Sequence, residues 1–209
     1  MTGDSGFHNA MADLVLADSV DQDRVSFCAT PGGTGAIHHV LELVKLTETN
    51  PTIWFSDPTW GNHLTIAKHL NMQIGKYSYF DNETRSVDFK AMLSDLSNVA
   101  NGDIVVLHGC CHNPTGANLS KDQWNIISEL LLEKEAIPFI DIAYQGFGEG
   151  IEEDAFGTRL LADKFPEMFI AASCSKNFGI YRERCGIVMA ISKNPDISII
   201  TQGNLSYVN

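Results

Sequence analysis

Residues 104–143 read IVVLHGCCHNPTGANLSKDQWNIISELLLEKEAIPFIDIA. Ile104 to Leu107 is apolar at every position, and Ile137 to Ala143 is a second apolar run, broken by the carboxylate of Asp141. Between them, Ser120-Lys-Asp-Gln123 spells a capping box, a serine and a glutamine three residues apart that satisfy each other's backbone N–H groups. A helix is therefore predicted from there to about Ala136. Strands with no polar face are buried on both sides, which is the condition of parallel strands held between two helical layers.

The same alternation extends outward in both directions. Val25–Ala29, Thr52–Phe55, Met168–Ser173 and Gly186–Ile191 are further strand candidates. Phe7, Met11, Leu14 and Val15 share one helical face, and Ala36–Leu46 and His63–Leu70 have helical character. Asp88 is placed to cap a helix carrying Phe89, Met92, Leu93 and Leu96. The predicted fold is α/β: a doubly wound, mostly parallel sheet with helices on both faces. No internal repeat and no Pro/Gly/Ser-rich linker divides the chain.

Its 209 residues, 44% of them hydrophobic, suffice for a sizeable core. Fourteen basic against twenty-six acidic residues give a net charge of −12, which argues against non-specific binding to nucleic acid or anionic membranes. No apolar run reaches the roughly 18 residues of a membrane-spanning helix. The first residues, Met-Thr-Gly-Asp-Ser-Gly, do not read as a signal peptide, and the odd count of five cysteines reads as reduced thiols, so a cytoplasmic location is expected.

In doubly wound sheets ligands bind at the carboxyl ends of the strands, so the residues that follow each strand carry the functional reading. Thr30-Pro-Gly-Gly-Thr-Gly35 precedes a helix; glycines and a helix N-terminus can cradle a phosphate, and a tight turn is the plain alternative. Trp60 follows the second strand and can stack on a flat ligand, or simply fill the core. His108-Gly-Cys-Cys-His-Asn113 suggests zinc at first sight, but adjacent cysteines with neighbouring histidines do not readily close one tetrahedron, and no metal is expected. Asn113, ahead of Pro114, is held extended, with its amide available to a ligand. Asp141 needs a cation or N–H partner, and Tyr144 lies just beyond it. Lys176, at a strand end in an apolar context, is a candidate nucleophilic amine. Ser173-x-x-Lys176 also fits a serine-hydrolase motif, but the companion tripeptides of that class do not occur here. Arg182 and Arg184 are candidate phosphate ligands or surface ion pairs.

Taken together these groups suit one ligand. Pyridoxal phosphate presents a phosphate, a flat ring, a pyridine nitrogen, a phenolic oxygen and an aldehyde. The sequence resembles the aspartate and aromatic amino-acid aminotransferases of the fold-type I pyridoxal-phosphate family. The resemblance rests on residues 30–36, 57–63, 108–116, 141–147 and 173–184, which stand in family order and cover nearly the whole chain. It implies that Lys176 forms the internal aldimine and moves the proton, that Asp141 pairs with the pyridinium, and that Tyr144 and Asn113 donate to the phenolic oxygen. Trp60 would stack on one face of the ring and Ala143 pack on the other. Gly33, Thr34, Ser173 and Arg184 would hold the phosphate, and His63 would stand behind Asp141. Gly32 stands where some relatives carry a serine phosphate donor. The implied substrates are an aspartate or aromatic amino acid and a 2-oxo acid, and the implied full-length parent is a homodimer.

Members of that family are about twice as long. Residues 1–209 are accordingly expected to be a partial cofactor-binding large domain, with the N-terminal arm and C-terminal small domain absent. None of Arg24, Arg85, Arg159, Arg182 and Arg184 matches the arginine that grips the substrate α-carboxylate. A loose likeness of residues 204–209 to a family segment puts Asn204 in place of the arginine selecting dicarboxylic substrates. A truncated, non-catalytic cofactor-binding fragment is the alternative reading.

Overall fold

The computed structural model describes residues 2–47 and 49–209. After α1 (Ser5–Val15) the chain forms β1 (Val25–Pro31), α2 (Gly32–Lys45), β2 (Thr52–Asp57), α3 (Gly61–His69) and β3 (Gln73–Ser78). A short antiparallel ribbon, β4 (Phe80–Asp81) with β5 (Ser86–Val87), leads into α4 (Phe89–Leu96). Then come β6 (Ile104–His108), α5 (Lys121–Glu133), β7 (Ile137–Ile142), α6 (Ile151–Asp154), α7 (Phe156–Lys164), β8 (Met168–Ser173), β9 (Cys185–Ile191) and α8 (Pro195–Val208). Seven strands make one sheet in the order β1-β9-β8-β7-β6-β2-β3. All neighbours pair in parallel except β9, which runs antiparallel to both β1 and β8.

The strands are apolar because both faces are covered. Along β9, Ile187, Met189 and Ile191 enter one core while Val188 and Ala190 enter the other. The first core is closed by α1, α4, α5 and α7 through Met11, Met92, Ile127 and Leu161. The second is closed by α2, α3 and α8 through Val40, Ile66 and Leu205. Alternate burial of successive side chains is the two-residue period of a strand carried into two apolar layers.

Helix α5 starts on the predicted capping box: the Gln123 N–H donates to Ser120 Oγ at 3.2 Å, and the Ser120 N–H donates to Gln123 Oε1 at 2.9 Å. The amino ends of β2 and β6 are tied by Asp103, whose carboxylate accepts the Thr52 N–H, the Trp54 indole N–H and the Ala100 N–H. Helix α2 begins at Gly32, four residues ahead of the expected Ala36, so the glycine-rich stretch is itself the helix's first turn. Gly32 has φ +73°, and a Cβ there would meet the Arg184 guanidinium, so glycine lets strand, helix and arginine converge.

Candidate active site

The cleft opens at the carboxyl ends of β6, β7 and β8 and has a volume of about 180 Å³. Gly33 and Thr34 line it from the first turn of α2, Trp60 from the start of α3 and Asn113 from the loop after β6. Asp141 lies on β7 with Ala143 and Tyr144 just beyond, Ser173 ends β8 with Lys176 shortly after, and Arg184 precedes β9. The ten residues that the family resemblance puts against the ligand therefore border the same cleft, whereas Arg182, the other candidate phosphate ligand, does not line it. His63, expected one layer back, is fully buried behind Asp141.

Asp141 sits beside His108 in the β6–β7 ladder. Burial by itself would raise its pKa, but the hydrogen bond from His63 and the charges of His63, His108 and Lys176 outweigh that and hold it below the usual carboxylate range. An ionised carboxylate only accepts, so His63 Nε2 carries a proton and donates to Asp141 Oδ2 at 2.9 Å. His63 Nδ1 lies 2.8 Å from the Thr59 hydroxyl. Thr59 Oγ1 lies 3.4 Å from His108 Nε2, and His108 Nδ1 accepts the Asn113 N–H at 3.4 Å. Burial, opposed by Asp141 and aided by His63, lowers the His108 pKa to about 4, so this imidazole is neutral at pH 7 and its proton sits on Nε2. Asn113, His108, Thr59, His63 and Asp141 thus form one connected chain of polar contacts, and it fixes the orientation of the carboxylate.

The opposite end of the cleft suits an anion. Pro31, the residue before α2, supplies no side-chain cap, so first-turn N–H groups remain for a ligand. A Cβ at Gly33 would lie 3.0 Å from Ser173 Cβ, which keeps that approach open only to glycine. The Arg184 guanidinium is held at the rim by the Tyr181 carbonyl at 2.9 Å and by Ser175 Oγ and the Pro31 carbonyl at 3.4 Å.

Between the two ends, Lys176 Nζ stands 5.2 Å from the Tyr144 ring centre and 5.8 Å from that of Trp60. Burial first, then the charges of Tyr181, Asp141 and Cys111, raise the Tyr144 phenol above its ordinary value, so it remains a hydrogen-bond donor at neutral pH. Trp60 is braced edge-on against His63, with ring centres 5.5 Å apart.

Four lining residues were not picked out as ligand contacts in the sequence: His108, Cys110, Ser175 and Tyr181. His108 ends β6, so the strand-end rule marks its position, but its type was read within the His/Cys cluster. In the fold, His108 serves the Asp141 relay, while His112 bonds Ser56 at 2.9 Å and Thr115 at 2.8 Å and stacks on Tyr79. Arg24 and Arg159 lie elsewhere, spending their guanidinium groups on backbone carbonyls of Phe165, Pro166, Ser192, Leu14 and Val15. Asn204 is within α8 and lines a different cavity, with Leu43 and Ile104, so it does not stand at this cleft.

A family model described as aminotransferase class I and II matches residues 1–204. The chain is 48% identical over 209 residues to an aromatic-amino-acid aminotransferase of Paracoccus denitrificans, covering 100% of this chain and 53% of that protein. It is 39% identical over 177 residues to an aspartate aminotransferase of Salmonella typhi, covering 85% of this chain and 45% of that one. Among solved structures, an aromatic-amino-acid aminotransferase from Burkholderia pseudomallei, covalently bound to pyridoxal phosphate, aligns with a TM-score of 0.96 at 35% identity, covering 99% of this chain and 53% of that chain. The chain spans about half the length of the curated relatives it matches.

Proposed function

This chain belongs to the class I and II aminotransferase family, and from that premise we propose that it is the cofactor-binding large domain of a pyridoxal-phosphate-dependent aminotransferase. The reaction moves an amino group between an aspartate or aromatic amino acid and a 2-oxo acid. One observation carries the reading: an amine, a carboxylate held ionised, a phenol donor and an open helix N-terminus converge on one cleft.

The residues present fit the cofactor. Gly33, Thr34, Ser173 and Arg184 would hold its phosphate, where the Cβ-free approach at Gly33 leaves room. Asp141, its carboxylate below the usual range, matches a cationic ring nitrogen. Tyr144 and Asn113 offer donors to the phenolic oxygen, and Trp60 and Ala143 border the ring's space. When bound, pyridoxal phosphate supplies an electron sink for the substrate's α-carbon. Lys176 Nζ provides the covalent anchor and carries a proton to and from that carbon.

Among the described residues Arg184 is the only arginine of the cleft, and it belongs to the phosphate end. Recognition of the substrate carboxylates therefore rests on groups outside this set, and the chain by itself is proposed to bind cofactor without efficient turnover. The full-length protein is proposed to be a homodimer, with exposed Phe178 and Tyr181 near the cleft available to a second subunit. No helix of the described residues is long and apolar enough to cross a membrane. A cytoplasmic location is proposed from the odd count of five cysteines at irregular spacing.

Adding pyridoxal phosphate should produce the visible absorbance band of a lysine-linked cofactor, and Lys176→Ala should abolish it. A band that survives this substitution unchanged would overturn the role of Lys176. Appreciable transamination of aspartate, tyrosine or phenylalanine by the 209 residues alone would refute the claim that they lack efficient turnover.

A further inference from the structure

Beside the cleft, on the far side of Cys110, lies a second cluster that the proposed reaction does not use. Cys111 has φ +45°, a left-handed turn that side chains rarely adopt. In extended chain, consecutive side chains point to opposite sides. Here Cys110 and Cys111 converge instead. The two sulfurs and a carboxylate oxygen of Asp154 lie within 4.8 Å of one another.

Asp154 is 5% exposed. Its carboxylate accepts the N–H groups of Gly146, Gly148 and Glu149 at 2.8–2.9 Å, which fixes its position. No cation pairs with it among the described residues, where the ion pairs are His63–Asp141, Lys76–Asp57 and Arg159–Glu152. Its charge instead faces the two thiols, and together with burial it disfavours their ionisation. A buried carboxylate aimed at two converging sulfurs is a donor set that lacks a positive charge. The adjoining cavity is bordered by Glu149 and Glu153, with Lys121 its one basic neighbour besides the neutral His108.

We propose that Cys110, Cys111 and Asp154 form a site for a thiophilic divalent cation, of which Zn²⁺ and Cd²⁺ are the probes. Two thiolates and a carboxylate are ligands suited to such an ion, with a fourth position left for water or an exogenous ligand. Binding forms two metal–sulfur bonds and one metal–oxygen bond and releases the two thiol protons to solvent. Affinity therefore rises with pH. The titratable groups that face the thiols are Asp154 and Tyr144, with Tyr79, His108, Lys121, Glu149 and Glu153 around the same cavity. The charge of Cys111 already bears on the Tyr144 phenol, so an ion here would also act on the cleft.

The test is titration of the reduced, cofactor-free 209-residue chain with Cd²⁺, read as ultraviolet sulfur-to-cadmium charge transfer. One equivalent should saturate the signal, Zn²⁺ should displace it, and affinity should increase at least tenfold from pH 6 to pH 8. Cys111→Ser, at a half-exposed position, should weaken binding at least tenfold. Cys174→Ser should leave it unchanged, although Cys174 and Cys185 are also paired thiols. In the unaltered chain, Zn²⁺ should protect Cys110 and Cys111 from alkylation, as mapped by mass spectrometry, which needs no variant to fold. The proposal is overturned by absence of the signal at excess Cd²⁺, by a signal that follows Cys174 instead, or by equal alkylation with and without Zn²⁺. None of these readouts requires the cofactor, so this proposal and the aminotransferase reading stand or fall separately.

Discussion

Asp141 shows how a single charge organises the residues around it. A carboxylate in this setting is stable only with donors nearby, and the chain through His63, Thr59 and His108 holds the His63 donor against it. In a full-length parent, Asp141→Ala should keep the covalent link at Lys176 but lose most transamination, and Asp141→Glu should retain more. Measured kcat with each variant at saturating cofactor decides this. The histidines also set a pH dependence. Burial leads the causes that take His108 to about 4 and His112 to about 3, below the ordinary 6.5 of the unfolded chain. As pH falls below 6.5 the unfolded state takes up protons that the native state refuses. Stability is then lost by about 1.4 kcal/mol per pH unit for each such histidine until its folded pKa is reached. The urea midpoint should fall from pH 7 to pH 4.5, and His112→Gln should make that fall shallower. At this scale Tyr144 and Lys176 were legible because each follows a strand, Asp141 because it is a carboxylate within an apolar run, and Arg184 as a cation just ahead of one. The partners of His108 were legible only in part: His112 and Asn113, close in sequence, do lie against it, but His63 and Asp141 reach it from α3 and β7.

At the level of elements, the strands and the capped helix were written plainly. The apolar runs at β6, β7, β8 and β9 are buried nearly throughout, and the box at Ser120 formed as spelled. What stayed hidden lacks an apolar signature. Strand β3 is at the sheet edge and mostly half-buried or exposed. Helix α8 buries only Ser198 and Leu205 while leaving Ile199 and Ile200 exposed, so it has no stripe for a sequence reading to find. The antiparallel sense of β9 was also invisible, because burial on both faces looks the same in either direction. Two substitutions separate the small contributions from the large ones. Ser120→Ala should cost about 1 kcal/mol, the usual value of one N-cap. Asp103→Ala should cost more, about 2–3 kcal/mol, because it leaves the Thr52, Ala100 and Trp54 donors without their acceptor at a buried corner. Urea denaturation of both variants at pH 7 gives the comparison.

For the molecule as a whole, the sheet order brings loops from distant parts of the chain to one edge. Residues as far apart as Gly33 and Arg184 meet because β9 returns between β1 and β8, while Asp141 and Lys176 meet because β7 lies beside β8. That convergence was legible from the sequence only as a set of strand-end residues in family order; the pairing that joins them belongs to the three-dimensional structure. This convergence is proposed to make Lys176 the covalent anchor for pyridoxal phosphate. The most direct test is to treat the 209-residue chain with the cofactor, reduce with borohydride, digest, and map the modified lysine by mass spectrometry. One stoichiometric adduct is expected, on Lys176. Labelling spread over surface lysines such as Lys68 or Lys121, with Lys176 unmodified, would contradict it.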